Sequence, residues 1–252
     1  MYFLSSLFYG NTFYLKLQFF YFEKKNSLYA RLMVDYLKRK QVLFMGKIIN
    51  LGHASFLLKG NNYDIVVDPY RDDSVPNLTF PRGLVVDAVF CSHDHYDHDA
   101  AELVKIKSDA MLIRPVEAVV PHDRDRGTKR GMNTIRMFDI DGFKVVHLGD
   151  TGCIPHPADI QKFANCDVLL APINGFFTIN PSELKAICNM INPRIVVPMH
   201  YYIKENKTGY PDDHMFEKFQ ELFPNIKYID QELDLEEFKD YKGAIVFKNY
   251  LQ

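Results

Sequence analysis

Residues 92–98 read Ser-His-Asp-His-Tyr-Asp-His: three histidines and two aspartates within seven positions, directly after the apolar run 84–91. Ionisable groups are costly to bury, so such a cluster at the end of a core strand demands partners that an ordinary solvated loop does not need. His93 and His95 alternate by two and so project from one face of an extended chain. Asp97 and His98 follow where the chain turns into an expected helix, Asp99–Lys107. One pair is placed to hold one ion and the adjacent pair a second. Imidazole together with carboxylate suits zinc, with manganese or iron as substitutes.

The elements that must position this cluster show the same signature elsewhere. Apolar runs stop at His93, His122 and His200, and the run Lys144–Leu148 leads to Asp150. Four buried strands that each end in a ligand-type side chain imply that those ends meet at one edge of the sheets. Lys47–Leu58 and Tyr63–Tyr70 read as strands around a Lys-Gly-Asn-Asn turn, and residues 133–150 as a hairpin with Asp141-Gly142 at its tip. The stretch 111–120 is strand material interrupted by Pro115. From residue 156 the period changes: helix-like 156–166, buried strand 167–173, a helix at 181–192 capped by Asn180 with Pro181 in its first turn, buried strand 194–201, amphipathic helix 212–223 and a closing strand 243–247. A hairpin-rich first part thus passes into alternating strand and helix.

The chain has 252 residues, 47% hydrophobic and 25% charged, which fits one substantial folded domain and excludes disordered and fibrous classes. A formal charge of −2 supplies no basic field, so a nucleic-acid partner is not expected. The four cysteines, Cys91, Cys153, Cys166 and Cys188, form no CxxC pair, and a reduced, cytoplasmic chain is the simplest reading. Residues 1–44 are crowded with Phe, Tyr and Leu but interrupted by polar residues, a poor signal peptide and a poor membrane span, so stable membrane insertion is not expected. Three readings of them compete, an extension that packs on the domain, a weak membrane-surface anchor, or translated sequence upstream of a native start at Met45, and the last is the expectation because periodic structure begins at Met45. The folded domain is expected at 45–252.

The series His93-x-His95-x-Asp97-His98, then His122, Asp150 in His-Leu-Gly-Asp-Thr-Gly and His200 in Val-Pro-Met-His-Tyr, resembles the motif series of the metallo-β-lactamase superfamily. Residues 52–58, 122–135, 141–152, 171–183 and 191–201 are similar to the small stand-alone metal-dependent hydrolases related to L-ascorbate-6-phosphate lactonase. That resemblance implies an α/β (α+β) fold, a four-layer αββα sandwich of two mixed sheets flanked by helices. It also implies two divalent metal ions, with His93, His95 and His122 on the first, Asp97, His98 and His200 on the second, and Asp150 bridging both. Aspartate rather than cysteine at position 150 speaks against an antibiotic-cleaving lactamase.

Two such ions lower the pKa of a shared water from 15.7 to about 7, giving hydroxide at neutral pH. Asp97 and Asp150 are the expected catalytic carboxylates, Asp97 orienting the nucleophile and shuttling its proton. Asp68 is either the acceptor that fixes a ligand histidine's tautomer or the start of an Asp-Pro turn. His147 and His53 either face the site or are buried, hydrogen-bonded histidines. Arg124, Arg126, Lys129 and Arg130 crowd the loop after His122, where guanidinium groups either clamp an anion or form a solvated face. The expected function is hydrolysis of a small anionic ester, lactone or phosphodiester, with a homo-oligomer left open. A non-catalytic metal-binding sensor or interaction module is the alternative class.

Overall fold

The computed structural model describes residues 46–204, 207–211 and 214–251. The aromatic segment 1–44, and with it the three readings of that segment, lies outside the described residues.

Two mixed sheets face one another. The first runs, in spatial order, Glu232–Asp234, Lys47–Gly52, Ser55–Lys59, Asp64–Val67 and Ala88–Phe90, and only its last pair is parallel. The second runs Ile226–Ile229, Gly243–Phe247, Ile195–Met199, Val168–Pro172, Phe143–His147, Met132–Ile140 and Val116–Pro121. Its first five strands are parallel and its last two are added antiparallel. Val168–Pro172 and Ile195–Met199 are buried at every position, as befits central parallel strands covered on both faces.

Between the sheets lies a core containing Phe56, Val67, Phe138, Val145, Leu170, Val197 and Ile245. Helices Pro157–Ile160, Pro181–Ile191 and Met215–Leu222 cover the outer face of the larger sheet, burying Leu184, Ile187, Ile191 and Phe219 against it. The outer face of the smaller sheet is closed by Tyr70, Val75, Leu78, Phe80 and Val104, with Tyr250 and Leu251 packed on the cluster. No helix among the described residues is long and apolar enough to cross a membrane.

The helix 181–191 begins as its sequence directs. The Asn180 carboxamide accepts from the backbone N–H groups of Ser182 and Glu183, the Glu183 carboxylate accepts from the N–H of Asn180, and Pro181 occupies the first turn. Asn180→Ala is expected to cost about 1 kcal/mol and to lower the melting temperature by about 2–4 °C in a calorimetric scan.

The fold differs from the sequence expectation at several places, one of them the expected single strand Lys47–Leu58, which is instead two antiparallel strands, Lys47–Gly52 and Ser55–Lys59. The segment 99–107 is not an α-helix: a single 3-10 turn, Ala101–Leu103, gives way to a short strand, Lys105–Ile106, paired in parallel with Val85–Val86. Lys107 N donates to Val86 O, and its ammonium pairs with Asp64 and Asp87 at 3.1 and 2.8 Å, so tertiary pairing overrides helical propensity there. The helix-like 156–166 shrinks to Pro157–Ile160 and a 3-10 turn, Gln161–Phe163. Strands Ile226–Ile229 and Glu232–Asp234 carry mostly polar or half-exposed residues, and edge strands of this kind lack a hydrophobic signal.

Candidate metal centre

The ends of four strands converge at one edge of the sandwich. After Ala88–Phe90 the chain leaves the sheet, bends, and closes a turn through the bond from His98 N to His95 O (2.8 Å). His93 and His95 therefore do not lie on an extended strand, yet His93 Nε2 stands 3.0 Å from His95 Nδ1. Val116–Pro121 delivers His122, Phe143–His147 leads to Asp150, and Ile195–Met199 delivers His200.

The side chains form three overlapping sets whose donor atoms lie within 4.8 Å of one another: His93, His95 and His122; His53, Asp97, His98 and His200; and His93, His98 and Asp150. Asp150 stands between them, its Oδ2 3.3 Å from His98 Nε2, 3.1 Å from His200 Nε2 and 3.6 Å from His122 Nε2. All seven residues of the motif series meet here, and His53 joins them, with Nε2 3.3 Å from Asp97 Oδ2 and its ring 4.1 Å from that of His200.

Asp68 fixes which nitrogens face the centre. This fully buried carboxylate accepts from Ser92 N (2.6 Å), Ser92 Oγ (2.6 Å) and His98 Nδ1 (2.8 Å). Because the Ser92 hydroxyl spends its proton on Asp68, His93 Nδ1 donates to Ser92 Oγ across 2.9 Å. Both imidazoles are thereby held with Nε2 turned to the centre, the orientation a cation requires; burial opposes the charge on His98, but Asp150 and Asp68 outweigh it and hold that ring well above the usual histidine range, so a cation would displace its Nε2 proton. Asp68→Asn reverses one of these hydrogen-bond polarities; a 10–100-fold weaker zinc affinity is expected in a chelator competition titration.

The backbone carries strain at the same place. His53, Asp68 and His200 adopt left-handed conformations, with φ of 56°, 48° and 53°. Non-glycine residues rarely do so without a surrounding structure that holds them. His200 N donates to His53 O at 3.2 Å, which locks two of the three together.

The electrostatics suit a cation. Burial pushes His93 down to about 3 and His122 down to about 4, with neighbouring imidazoles adding to the effect, so both are neutral lone-pair donors at pH 7. Burial opposes ionisation of Asp150, but His200 and His98 outweigh it and hold the carboxyl well below the usual range. Burial likewise disfavours the Asp97 carboxylate, and the His53 and His98 imidazoles outweigh it. His98 Nε2 and Asp150 Oδ1 are buried without a hydrogen-bond partner among the described residues. A divalent cation satisfies both, and the donor set of imidazole nitrogens and carboxylate oxygens fits zinc, manganese or iron.

The remaining candidates separate by contact. His147 is a strand histidine beside the centre: Nε2 donates to Ala54 O at 2.8 Å, Nδ1 accepts from Gly149 N at 3.1 Å and lies 3.9 Å from Asp68. Arg124 is engaged by both oxygens of Glu183 at 3.0 and 2.8 Å, and Lys129 pairs with Asp125. The Arg130 guanidinium lies over the Phe177 ring at 4.3 Å. Ser92 and Asn133 were not singled out from the sequence. Asn133 Oδ1 accepts from Asp150 N (2.8 Å) and its amide donates to Leu148 O (2.8 Å), shaping the turn that presents Asp150. The available signal was a buried-type polar residue inside an apolar strand.

Fold and centre together define a class: a two-sheet sandwich with a histidine–aspartate centre at its edge, the architecture of metal-dependent hydrolases. The Beta-lactamase superfamily domain model matches residues 47–200. A UPF0173 metal-dependent hydrolase from Caldivirga maquilingensis is 31% identical over 188 residues, covering 62% of this chain and 82% of that protein. Its counterpart from Pelotomaculum thermopropionicum is 28% identical over 193 residues, covering 62% and 84%. A crystal structure from Thermotoga maritima, described as a candidate Zn-dependent hydrolase of the metallo-beta-lactamase superfamily, superposes with a TM-score of 0.61 at 28% identity, covering 82% of this chain and 100% of that one. The chain belongs to the metallo-β-lactamase superfamily and, within it, to the UPF0173 metal-dependent hydrolases.

Proposed function

We propose that the chain is a cytoplasmic hydrolase that binds two divalent ions, zinc foremost, and acts on a small anionic ester, lactone or phosphodiester. The observation that carries this reading is Asp150 Oδ2, set 3.1–3.6 Å from three imidazoles and shared between two groups of donors. His93, His95 and His122 would hold one ion, and Asp97, His98 and His200 the other, with Asp150 between them. When bound, such a pair supplies Lewis acidity toward a carbonyl or phosphoryl oxygen and makes a shared water acidic at neutral pH.

The chain's own groups account for the rest. Asp97, partly exposed like His95 where the other five donors are buried, is the carboxylate placed to orient a water and accept its proton. His53, close to Asp97 Oδ2 and pushed down to about 4 by burial and then by His200, is a neutral ring that steadies that carboxylate. Asp68, through Ser92 and His98, keeps two imidazoles from turning. Four free thiols suit a reducing compartment. The lactone alternative rests on the resemblance to the ascorbate-6-phosphate lactonase group, the phosphodiester alternative on the chemistry of paired ions.

The purified chain is to be assayed on bis-p-nitrophenyl phosphate and a panel of lactones, with and without chelator. Turnover that a chelator abolishes and zinc or manganese restores is expected, and the better substrate ranks the two classes. Absence of turnover on every probe by fully loaded protein would refute the catalytic reading.

A further inference from the structure

The loop that follows His122 is built as a rigid arm. The Asp123 carboxylate accepts four backbone N–H groups, from Asp125 (2.7 Å), Gly127 (2.9 Å), Lys129 (3.0 Å) and Arg130 (2.8 Å). Arg130 is therefore fixed relative to His122, its neighbour in the centre, by a closed set of hydrogen bonds rather than by a free loop.

The cations on this arm have different fates. Arg124 donates through Nη2 to both oxygens of Glu183, and Lys129 is paired with Asp125. Arg126 is exposed. Arg130 is half-buried, and among the described residues its guanidinium makes no ion pair; it lies 4.3 Å above the ring of Phe177. Stacking on an aromatic face orients a guanidinium and leaves its edge N–H donors available.

Phe177 connects that cation to the centre. Its ring centroid is 5.5 Å from that of Tyr210, and Tyr210 in turn lies 6.1 Å from His200 and 5.9 Å from His53. Tyr210 is pinned by its hydroxyl, which donates to Ser74 O. Asn174 Oδ1 accepts from the backbone N–H groups of Phe176 and Phe177 at 3.3 and 3.2 Å, so the loop that carries Phe177 is shaped too. Two rings in edge contact thus form a ledge that starts at the histidines and ends under a guanidinium with no ion pair among the described residues.

We infer that Arg130, laid on the Phe177–Tyr210 ledge, is the specificity-determining residue that binds the anionic end of the substrate, a carboxylate or phosphate remote from the scissile bond. The inference rests on the hydrolase reading above and names the residue that would make its substrate anionic. A planar fork on a ledge matches an oxyanion with two oxygens, while the apolar rings accept the short chain between that anion and the reacting group.

The test uses metal-loaded wild type, Arg130→Gln and Arg130→Lys with two esters of one leaving group and one acyl length, p-nitrophenyl hydrogen glutarate and p-nitrophenyl valerate. The preference in kcat/KM for the glutarate ester over the valerate ester is expected to fall about ten-fold in Arg130→Gln, through KM rather than kcat, and to recover in part in Arg130→Lys. Metal content is measured in each variant, and a ratio that does not move at wild-type metal content overturns the inference. If wild type hydrolyses neither ester, the ester reading of the active site fails on its own. Calorimetric titration with glutarate then decides: about ten-fold weaker binding to Arg130→Gln supports the subsite, whereas equal affinity, or no binding to wild type, overturns it.

Discussion

Asp150→Ala is expected to lose bound metal and turnover together, with kcat/KM falling on the order of 10³-fold or more, because several kcal/mol of charge stabilisation leave with the ions. Among the described residues Asp150 is the carboxylate that lies within 3.6 Å of His98, His122 and His200 together, so no neighbouring carboxylate takes its place. Its backbone contact, the bond from Asp150 N to Asn133 Oδ1, survives the substitution, so circular dichroism should show the wild-type fold. Elemental analysis of the purified variant, beside assays of both proteins in excess zinc, checks the expectation. A variant that retains its full metal content would contradict the placement of Asp150 between the donor sets.

Gly152→Ala is expected to be nearly as severe for a different reason. Gly152 N donates to Pro121 O at 3.1 Å, bringing the segment after Asp150 against the strand end that delivers His122. A Cβ at position 152 would overlap the carbonyl carbon and oxygen of His122 and the nitrogen of Asp123. These are backbone atoms flanking a donor residue and the anchor of the rigid arm, so they cannot step aside as a flexible side chain would. The cost should be about 3 kcal/mol, seen as a melting temperature lower by about 10 °C, together with weaker metal binding as His122 moves. Gly83→Ala is the control: a Cβ there meets nothing within 4 Å, so only the strain of a positive φ, about 1 kcal/mol, is expected. Equal melting temperatures for the two variants would remove the steric argument.

The candidate centre was legible because its chemistry is concentrated: apolar runs that lead to His93, His122, Asp150 and His200 announce themselves by polar residues where the apolar pattern should end or continue. The central strands were legible for a related reason, since parallel strands covered on both faces read as unbroken apolar runs, as in Val168–Pro172 and Ile195–Met199. The Asp141-Gly142 turn, both residues at positive φ, was likewise readable from its dipeptide. What could not be read was set by tertiary contacts. The segment 99–107 has helix-forming residues but is captured by Val85–Val86 and the Asp64–Asp87 carboxylates. The roles of Ser92 and Asn133 depend on which partner each hydroxyl or amide meets in space. Of the basic residues after His122, sequence gives only their number; Glu183 and Asp125 withdraw two of them, and Phe177 orients a third.

The most direct measurement is the metal content per chain, by elemental analysis, of protein purified without added metal and then reconstituted with zinc, with turnover followed in the same preparations. The expected result is about two equivalents, with activity that rises with occupancy and falls to background with chelator. Less than one equivalent after reconstitution, or activity indifferent to metal, would contradict a centre built on Asp150 between two sets of histidines.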